Sequence, residues 1–544
     1  MRVHLRPVRA ACLTVIAIAS VALAGNAHAQ EATISAEMQA RGQALLQRLE
    51  DGKPIDVVVY GDSITDGDGT DGTHIYHRMF LDALRYRFPD CDIDALVSGN
   101  PGWTSSDALR SYDWLIGGLK PDLIVLQFGG NDRGWGRPLR FFRQDLARLL
   151  TRASTETDAF VIACLPPWAE EIEDGRWALA AHDAAAEAGV PVADFHRAIR
   201  EGPHDFRGSF PYSSHPGSFT HVVMAQELMR AFDASTGAPT LLACTLDRGV
   251  ASTDEAGCLV GATITSIADA PMAWSARLEF GREVRELQGT VAPGETVALA
   301  ERFTIPEGLP ADRAYSIPVR LWTRAGYAGS SDVAWLTIAP ALSAEGGETW
   351  HALDADALVM RTHIWQGDDD LSGRFRTALT DDALRIDVEI TDDEITVANL
   401  MNPSRGDSVE IYLDLRAREQ QGRPIYSEDV LGLQIIPPIE VGAQAQWHNM
   451  HALPADLTDL RVTGRLSVSG YRVTVELPLA AIEARRGEDW GGIGLDVGVN
   501  DADGGYRKTQ MMWAGTADNY VNPACIAGIY PGPLAEGFTR RILQ

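Results

Sequence analysis

Long apolar runs, cysteines and positive charges are all scarce in this sequence of 544 residues. The one long apolar run, residues 10–24, is too short to span a bilayer comfortably, and no longer run follows it. Lys and Arg number 47 against 75 Asp and Glu, which gives a formal net charge of −28. This balance argues against nucleic acid and against anionic membrane surfaces as partners.

The N-terminal residues have the pattern of a secretory signal peptide. Arg2, Arg6 and Arg9 form a basic head, residues 10–24 form an apolar core, and Ala27-His28-Ala29 is a small-residue cleavage site. We therefore predict a signal peptide over residues 1–29, cleavage after Ala29, and a mature chain that is secreted or periplasmic.

Five of the six cysteines follow the predicted cleavage site, so at least one stays unpaired. Cys244 and Cys258 are close in sequence and are candidates for a disulfide in an oxidising compartment; whether they pair stays open at this stage. Cys164 lies in the apolar segment 160–165, which predicts a core residue and not a nucleophile, because apolar burial disfavours the thiolate.

Residues 30–237 alternate between strand-like and helix-like patterns. Strands separated by helices imply right-handed crossovers and a parallel sheet covered on both faces, which is an α/β/α sandwich. The predicted strands are 56–60, 93–97, 122–128, 159–164 and 190–194. The predicted helices are 35–50, 75–87, 105–117, 138–152, 176–188 and 218–233.

The pattern changes near residue 238 to short alternating segments separated by turns. Residues 238–343 contain no convincing helix, and their spacing predicts an immunoglobulin-like β-sandwich that acts as a spacer. Beyond a Gly-rich linker, residues 344–544 contain segments that alternate at period two, which is typical of strands with one buried face. We predict a larger C-terminal β-sandwich there.

The stretch 57–67 ends an apolar run in Gly-Asp-Ser63 and so brings a serine to the end of a predicted strand. Such a serine is most often a turn residue or a helix cap, so its interpretation depends on residues further along. A serine hydrolase needs a base and donors for the tetrahedral oxyanion. Gly102 and Asn131 follow later strands and offer a backbone N–H and an amide, and His215 precedes the last predicted helix and offers a base.

These four blocks, in this order, resemble the SGNH (GDSL) hydrolase family over roughly residues 55–233. The resemblance implies a flavodoxin-like fold with Ser63 as the nucleophile and His215 as the general base. It also implies an oxyanion hole made of the Ser63 and Gly102 backbone N–H groups and the Asn131 amide. Asp62 and Asp132 belong to the same blocks, and we interpret them as structural residues that hold loops.

The sequence departs from the family where the acid that orients the histidine is expected. The family places an aspartate three residues before the histidine, and here that residue is Tyr212; Gly217 replaces the asparagine that commonly follows His-Pro. Three explanations stay open. A main-chain carbonyl orients His215 in a Ser-His dyad, or Asp205 folds back to supply the carboxylate, or the site is impaired.

Tryptophans follow the catalytic blocks closely. Trp103 comes directly after Gly102, Trp135 comes shortly after Asn131, and Trp168 follows a pair of prolines. Aromatic faces at a cleft rim stack on sugar rings, although packing of the loops explains each tryptophan equally well. Together the three favour a carbohydrate substrate.

Further histidines lie outside the four catalytic blocks. His74 and His77 follow the serine loop and are candidates for a substrate contact, whereas His196, His204 and His221 are predicted to be solvated or to cap helices. No spacing of histidines and carboxylates is typical of a zinc site. We predict no catalytic metal.

Residues 348–544 resemble the family 9 carbohydrate-binding modules. The resemblance rests on Trp365 before a predicted strand, on segments 406–414 and 500–503, and on Trp513 near the end. It implies a β-sandwich that binds sugars between aromatic faces and often holds calcium.

Within this module Trp365 and Trp513 are predicted to be core residues. Trp447 lies outside the shared pattern and is a candidate sugar contact. The acidic runs 368–370 and 392–394 suit calcium, which prefers several carboxylate oxygens from loops, although solvated turns are commoner.

These patterns predict an exported serine esterase that removes acetyl or similar acyl groups from a polysaccharide or oligosaccharide, through an acyl-enzyme on Ser63. Catalysis is predicted to need no cofactor, and neither nucleic acid nor membrane is expected as a partner. Two alternatives stay open. One is a lipase or thioesterase of the same fold, and the other is a glycan-binding protein with an impaired hydrolase site.

Overall fold

The computed structural model describes most of the chain between residues 34 and 543. The predicted signal peptide, 1–29, lies outside the described residues. Within them, no helix is both long enough and apolar enough to cross a membrane. The described residues are 34–68, 70, 72–167, 175–201, 215–246, 253–254, 257–305, 315–343, 349–360, 364–398, 406–417, 426–438, 445–451, 457, 459–487, 490, 492–503, 508–514, 519–520, 523, 526–530 and 540–543.

The first domain is a five-stranded parallel sheet with two groups of helices packed on it. Its elements are α1 (Ala36–Glu50), β1 (Ile55–Asp62), α2 (Ser63–Asp66), α3 (Tyr76–Arg87), β2 (Ile93–Asn100), α4 (Ser105–Leu115), β3 (Leu123–Gln127), α5 (Gly130–Gly134), α6 (Leu139–Glu156), β4 (Phe160–Cys164), α7 (Arg176–Ala188), β5 (Val192–Ala193), α8 (Phe195–Glu201) and α9 (Ser218–Thr236).

The strand order is β2-β1-β3-β4-β5, with every pair parallel. The central strands β3 and β4 are buried at every position because helices cover both of their faces. The predicted α/β/α sandwich is confirmed, and each predicted strand and helix of this domain is present. The sequence patterns missed the short helices α2, α5 and α8, two of which begin where a strand ends.

A β-sandwich follows the first domain. One of its sheets has the order β10-β9-β12-β13 and the other β11-β8-β6, and alternate side chains of β8 and β9 fill the space between them. Its strands are β6 (Leu242–Leu246), β7 (Thr253–Asp254), β8 (Gly257–Ser266), β9 (Met272–Phe280), β10 (Glu283–Val291), β11 (Thr296–Phe303), β12 (Tyr315–Ala325) and β13 (Ala328–Ser343).

The disulfide considered between Cys244 and Cys258 does not form. Cys244 lies opposite Ile264 in the β6–β8 pair, and Cys258 is six residues further along β8, roughly 20 Å away at the rise of a strand. Neither is in a disulfide, nor are Cys91 and Cys164, while Cys525 lies outside the described residues. Cys164 is a core residue of β4, as predicted, and burial raises the pKa of its thiol.

The C-terminal part is a larger sandwich. Its elements are β14 (His351–Leu353), β15 (Leu358–Met360), β16 (Leu371–Leu379), β17 (Ala383–Asp392), β18 (Ser408–Asp414), β19 (Val430–Ile436), β20 (Gln446–Asn449), β21 (Arg461–Ser467), β22 (Gly470–Pro478), α10 (Leu479–Arg486), β23 (Ile493–Asp501), β24 (Thr509–Met512), β25 (Ala527–Tyr530) and β26 (Arg540–Leu543). Helix α10 was not predicted.

One sheet of this sandwich has the order β14-β16-β17-β22-β21. The other, β25-β23-β18-β19-β20, continues into the middle sandwich because β13 pairs with β25, and the last strand, β26, also pairs with β13. The sequence boundary at 343 therefore falls at the end of a strand that both sandwiches share.

The middle sandwich also packs directly on the first domain, so it is more than the spacer expected from the sequence. Arg87 of α3 is buried, pairs with Asp233 of α9 at 2.7 Å and donates to the Tyr327 carbonyl at 2.9 Å. The Tyr327 ring stacks on Phe88 with centroids 5.5 Å apart. Burial raises the pKa of Asp233 to about 6, against the opposing effect of Arg87.

Candidate active site

Strand β1 and helix α2 position Ser63. Asp62 caps α2 by accepting a hydrogen bond from the Ile64 N–H at 3.0 Å, so Ser63 is the first residue of the helix. Side chains at Gly61 and Gly99 would collide with α2: a Cβ would lie 1.9 Å from the Thr65 Oγ1 at the first and 2.4 Å from a backbone nitrogen at the second. The two glycines let α2 sit directly on the ends of β1 and β2.

The nucleophile and the base predicted from the sequence meet in the structure. The Ser63 Oγ lies 2.7 Å from the His215 Nε2, which is hydrogen-bonding distance. A carboxylate oxygen of Asp68, just after α2, lies 4.0 Å from the same nitrogen. This geometry lets His215 take the Ser63 proton through Nε2, and it places a negative charge near the imidazolium that results.

The open question about the acid concerns residues outside the described part of the chain. Asp205 and Tyr212 both lie there, so the three explanations given for the departure at Tyr212 stay predictions. Asp68 approaches the nitrogen that faces Ser63, which is not the nitrogen that a triad acid would contact.

The two expected oxyanion donors follow β2 and β3, the strands on either side of β1. Gly102 has a φ of 79°, in the left-handed region that favours glycine, and no atom lies within 4 Å of where a Cβ would be. The Asn131 amide lies on α5 and donates to the Trp103 carbonyl at 3.0 Å. An amide nitrogen has two hydrogens, so this bond orients the group and leaves a second donor for an oxyanion.

Asp132 ties these blocks together and has the structural role expected of it. It is fully buried and accepts from the Ser105 N–H and hydroxyl, each at 2.7 Å, and from Arg137 at 2.8 Å. Arg137 also pairs with Asp145. The β3 turn that carries Asn131 is thereby fixed to the start of α4, next to Gly102.

A buried polar layer beneath Ser63 was missed by sequence reasoning. The hydroxyl of Thr65, two residues beyond the nucleophile, bonds to the Tyr76 hydroxyl at 2.8 Å, and the Thr65 carbonyl lies 3.0 Å from the His77 Nε2. The Tyr76 N–H donates to the His221 Nδ1 at 3.1 Å. The layer connects α2 to α3 and α9, and its long sequence separations gave no linear signal.

This layer tests two expectations about histidines. His74 and His77 are each 2% exposed, so they do not offer a substrate contact. His221 is fully buried and therefore not solvated, but it does cap a helix, because its Nδ1 accepts the N–H of Tyr76, the first residue of α3. Burial lowers the pKa of His77 to about 4, which keeps it neutral at physiological pH.

The tryptophans predicted at the rim differ in exposure. Trp135 ends α5 and is 74% exposed, whereas Trp103 is half-buried and packs partly against the core. Trp168 lies outside the described residues. In the C-terminal sandwich, Trp447 on the edge strand β20 pairs with Ile435 and packs partly against the core. Its contact with sugar stays a prediction.

The C-terminal tryptophans expected in the core are there. Trp513 is 2% exposed, and the half-buried Trp365 donates its indole N–H to the Leu371 carbonyl at 2.9 Å.

Acidic side chains of the C-terminal sandwich form two overlapping groups that share Asp503. In the first, Lys508 binds Asp370 at 2.7 Å and Asp503 at 2.8 Å, so an ammonium already supplies the positive charge. In the second, Asp392 and Asp393 approach Asp503, and one Asp392 oxygen is buried without a hydrogen-bond partner. Burial, with the neighbouring acids, raises the Asp392 pKa. An oxygen-binding cation fits this second group.

Two family models match the chain. Residues 59–221 match the GDSL-like Lipase/Acylhydrolase family, and residues 344–527 match the Carbohydrate family 9 binding domain-like family. The chain therefore contains an SGNH-type serine esterase domain and a family 9 carbohydrate-binding domain, and both resemblances noted in the sequence are confirmed. No curated protein is similar enough to the chain to count as a match.

Solved structures with similarity include a two-domain esterase active on acetylated mannans, at 15% identity over 49% of this chain and 91% of that chain, with a TM-score of 0.32. An acetylxylan esterase from Geobacillus stearothermophilus is 18% identical over 33% of this chain and 94% of its own, with a TM-score of 0.29. A family 9 carbohydrate-binding module from Caldicellulosiruptor kristjanssonii, in complex with cellotriose, is 19% identical over 37% and 93%, with a TM-score of 0.26.

Proposed function

We propose that the chain is an exported esterase that removes acetyl or similar acyl groups from a polysaccharide through an acyl-enzyme on Ser63. The observation that carries this proposal is the 2.7 Å distance between the Ser63 Oγ and the His215 Nε2, with Gly102 and Asn131 after the two strands that flank β1. The same distance argues against an impaired site, because a decayed site has no reason to keep a nucleophile and base aligned.

In the proposed reaction His215 takes the Ser63 proton as the Oγ attacks the ester carbonyl. The oxyanion accepts hydrogen bonds from the Ser63 and Gly102 N–H groups and from Asn131. Collapse breaks the bond to the sugar oxygen, which leaves with the proton from His215. A water then attacks the acyl-enzyme, His215 takes its proton and returns it to Ser63, and the carboxylic acid is released.

The polysaccharide substrate is supported by two features outside the catalytic groups. The first is the family 9 carbohydrate-binding domain in the same chain. The second is Trp135, whose exposed ring stands four residues beyond Asn131 and offers an apolar face to a sugar. Export is supported by the signal-like pattern of residues 1–29.

We propose in addition that the C-terminal domain holds a calcium ion with Asp392, Asp393 and Asp503. The ion would neutralise the carboxylates and satisfy the buried Asp392 oxygen, and it would have no part in catalysis. Calcium should raise the melting temperature of the native chain, and Asp392→Asn should remove this increase. If adding calcium to the chelator-treated chain leaves its melting temperature unchanged, the proposal is contradicted.

Acetate release from acetylated polysaccharides tests the esterase. Ser63→Ala should abolish release and should prevent labelling by a serine-reactive phosphonate, while Ser154→Ala on α6 should change neither. Native chain that is labelled at Ser63 yet hydrolyses only long-chain acyl esters would establish the lipase alternative. Native chain that is not labelled would establish the impaired site.

Two equally exposed tryptophans test the substrate class. Trp135 is 74% exposed near the site, and Trp114, at the end of α4, is 82% exposed. Trp135→Ala should raise KM for an acetylated polysaccharide several-fold without changing hydrolysis of a small aryl acetate. Trp114→Ala should affect neither, and equal effects of the two substitutions would argue against sugar stacking at Trp135.

A further inference from the structure

The sheet β14-β16-β17-β22-β21 of the C-terminal sandwich has a densely charged outer side. Along β17 and β22 alternate side chains are buried in the core, so the side chains between them point outward. We call the outward side of β16, β17, β22 and β21 the arginine face. It carries six arginines, which are Arg374, Arg376, Arg385, Arg461, Arg465 and Arg472.

Strand register aligns these side chains in three rows across the sheet. The rows are Arg374–Glu389–Arg472–Arg465, Arg376–Asp387–Thr474–Thr463 and Arg385–Glu476–Arg461. Six arginines stand against three carboxylates, so the rows carry an excess of three positive charges. The whole chain has a net charge of −28, so the excess here opposes the charge of the rest of the molecule.

Two carboxylates hold the arginines in place. Glu389 accepts from Arg374 at 2.7 Å and pairs with Arg472 at 3.0 Å. Asp387 accepts from Arg385 at 2.9 Å and pairs with Arg376 at 3.2 Å. A guanidinium has five N–H donors, so these contacts orient each group and leave donors for a ligand.

Arg465 is the arginine of the first row that does not pair with Glu389. It lies on the edge strand β21 directly opposite Arg472, and like charges in this position destabilise a strand pair. Neither residue gains stability from the other, and Arg465 makes no ion pair with the described residues. An anion placed between the two guanidinium groups would relieve their repulsion.

A cavity of about 350 Å³ covers the arginine face, with Arg376, Arg385, Arg465 and Arg472 in its lining. Trp350 also lines the cavity, and the guanidinium groups of Arg374 and Arg376 lie 4.4 and 4.8 Å from its ring centroid. Cation–π contact of this kind orients a guanidinium without using its N–H donors. The cavity is therefore lined by four cationic groups, of which all but Arg465 are held by Asp387 or Glu389.

We propose that the arginine face binds a polysaccharide that carries carboxylate groups. A guanidinium matches a carboxylate in a planar, bidentate geometry, and successive rows about 7 Å apart suit charges that repeat along a chain. The face belongs to the domain that matches the family 9 carbohydrate-binding domains, which favours a glycan over nucleic acid as the source of the anionic groups. This proposal does not depend on the esterase reaction.

Calorimetric titration of the full chain with polygalacturonate at low ionic strength tests the proposal. The native chain should bind it and should show no binding on this face to a neutral galactan. Arg465→Gln with Arg472→Gln should weaken binding about tenfold or more, because charge-assisted bidentate contacts are lost. Arg143→Gln with Arg148→Gln on α6 makes the same change in net charge and should alter the affinity less than about twofold.

A second double variant separates charge from geometry. Arg465→Lys with Arg472→Lys keeps the charge and the exposed surface but removes the planar fork, so its loss of affinity should fall between those of the other two. Native chain that fails to bind polygalacturonate would overturn the proposal, as would glutamine variants that bind as tightly as native chain. Tighter binding of single-stranded DNA than of polygalacturonate would overturn the choice of a carboxylated glycan.

Discussion

The first domain and the C-terminal sandwich carry their polar groups at different kinds of backbone position. Ser63, Gly102 and Asn131 follow the ends of three neighbouring parallel strands, so all three lie at one edge of the sheet, where the Ser63 Oγ meets the His215 Nε2. The arginine face instead uses the middle of strands, where side chains stand side by side across the sheet. Strand ends concentrate a few unlike groups on one reacting bond, whereas a strand face spreads many similar groups over a surface.

The largest loss of activity is expected for substitution of a single residue at the strand-end site of the first domain. His215→Ala should lower kcat about 10⁴-fold or more, because no other group among the described residues is in place to take the Ser63 proton. His182→Ala, on α7, should leave kcat unchanged. Kinetics on a soluble acetate ester measure both, and a His215→Ala chain with near-native kcat would mean that Ser63 is not activated by this histidine.

A smaller loss is expected at the oxyanion donor. Asn131→Ala should lower kcat about 10²–10³-fold with little change in KM, because its hydrogen bond strengthens only as the oxyanion forms. Asn100→Ala is the matched control: Asn100 also donates from its amide to a main-chain carbonyl, that of Ser98 on β2 at 3.1 Å, and its loss should lower kcat less than about tenfold. Equal losses would mean that both asparagines only hold loops.

Asp62 gives a prediction on stability. Burial raises its pKa from 3.8 to about 7, so between these values the folded chain holds a proton that the unfolded chain has released. Stability should therefore fall as pH rises through this range, with Asp62 contributing roughly 4 kcal/mol of the fall. Urea unfolding across the range should show a shallower decline for Asp62→Asn than for the native chain. Asp56→Asn, at the exposed start of β1, should keep the native slope.

The part of the site that was predictable from sequence is the part that lies at strand ends. Ser63, Gly102, Asn131 and His215 each sit in a short block beside a recognisable strand or helix, and the structure brings Ser63 and His215 together as expected. The layer of Thr65, Tyr76, His77 and His221 was not predictable, because its contacts join three helices and depend on packing. For the same reason, the proximity of Cys244 and Cys258 in sequence wrongly indicated a possible disulfide. The register of β6 and β8 sets the distance between them.

The arginine face also shows which structural features sequence patterns predict and which they do not. The alternation of Arg385, Asp387 and Glu389 along β17 predicts one polar face, and the structure confirms it. What the sequence does not contain is which residues stand opposite them. The excess of positive charge appears only when register places Arg472 and Arg465 in the row of Glu389.

The smallest expected effects, and the sharpest test of the comparison, come from combining substitutions. Arg465 and Arg461 lie in different rows, four residues and about 13 Å apart along β21, so Arg465→Gln and Arg461→Gln should each weaken polygalacturonate binding about threefold and together about ninefold. Ser63→Ala and His215→Ala should instead cost no more together than either does alone, because the dyad acts as a unit. Calorimetry on the first set and kinetics on the second measure the two patterns. Losses of kcat that add for Ser63 and His215, or losses of affinity that are strongly non-additive for Arg465 and Arg461, would contradict the comparison. Either result would mean that strand-end and strand-face positions do not differ in how their residues are coupled.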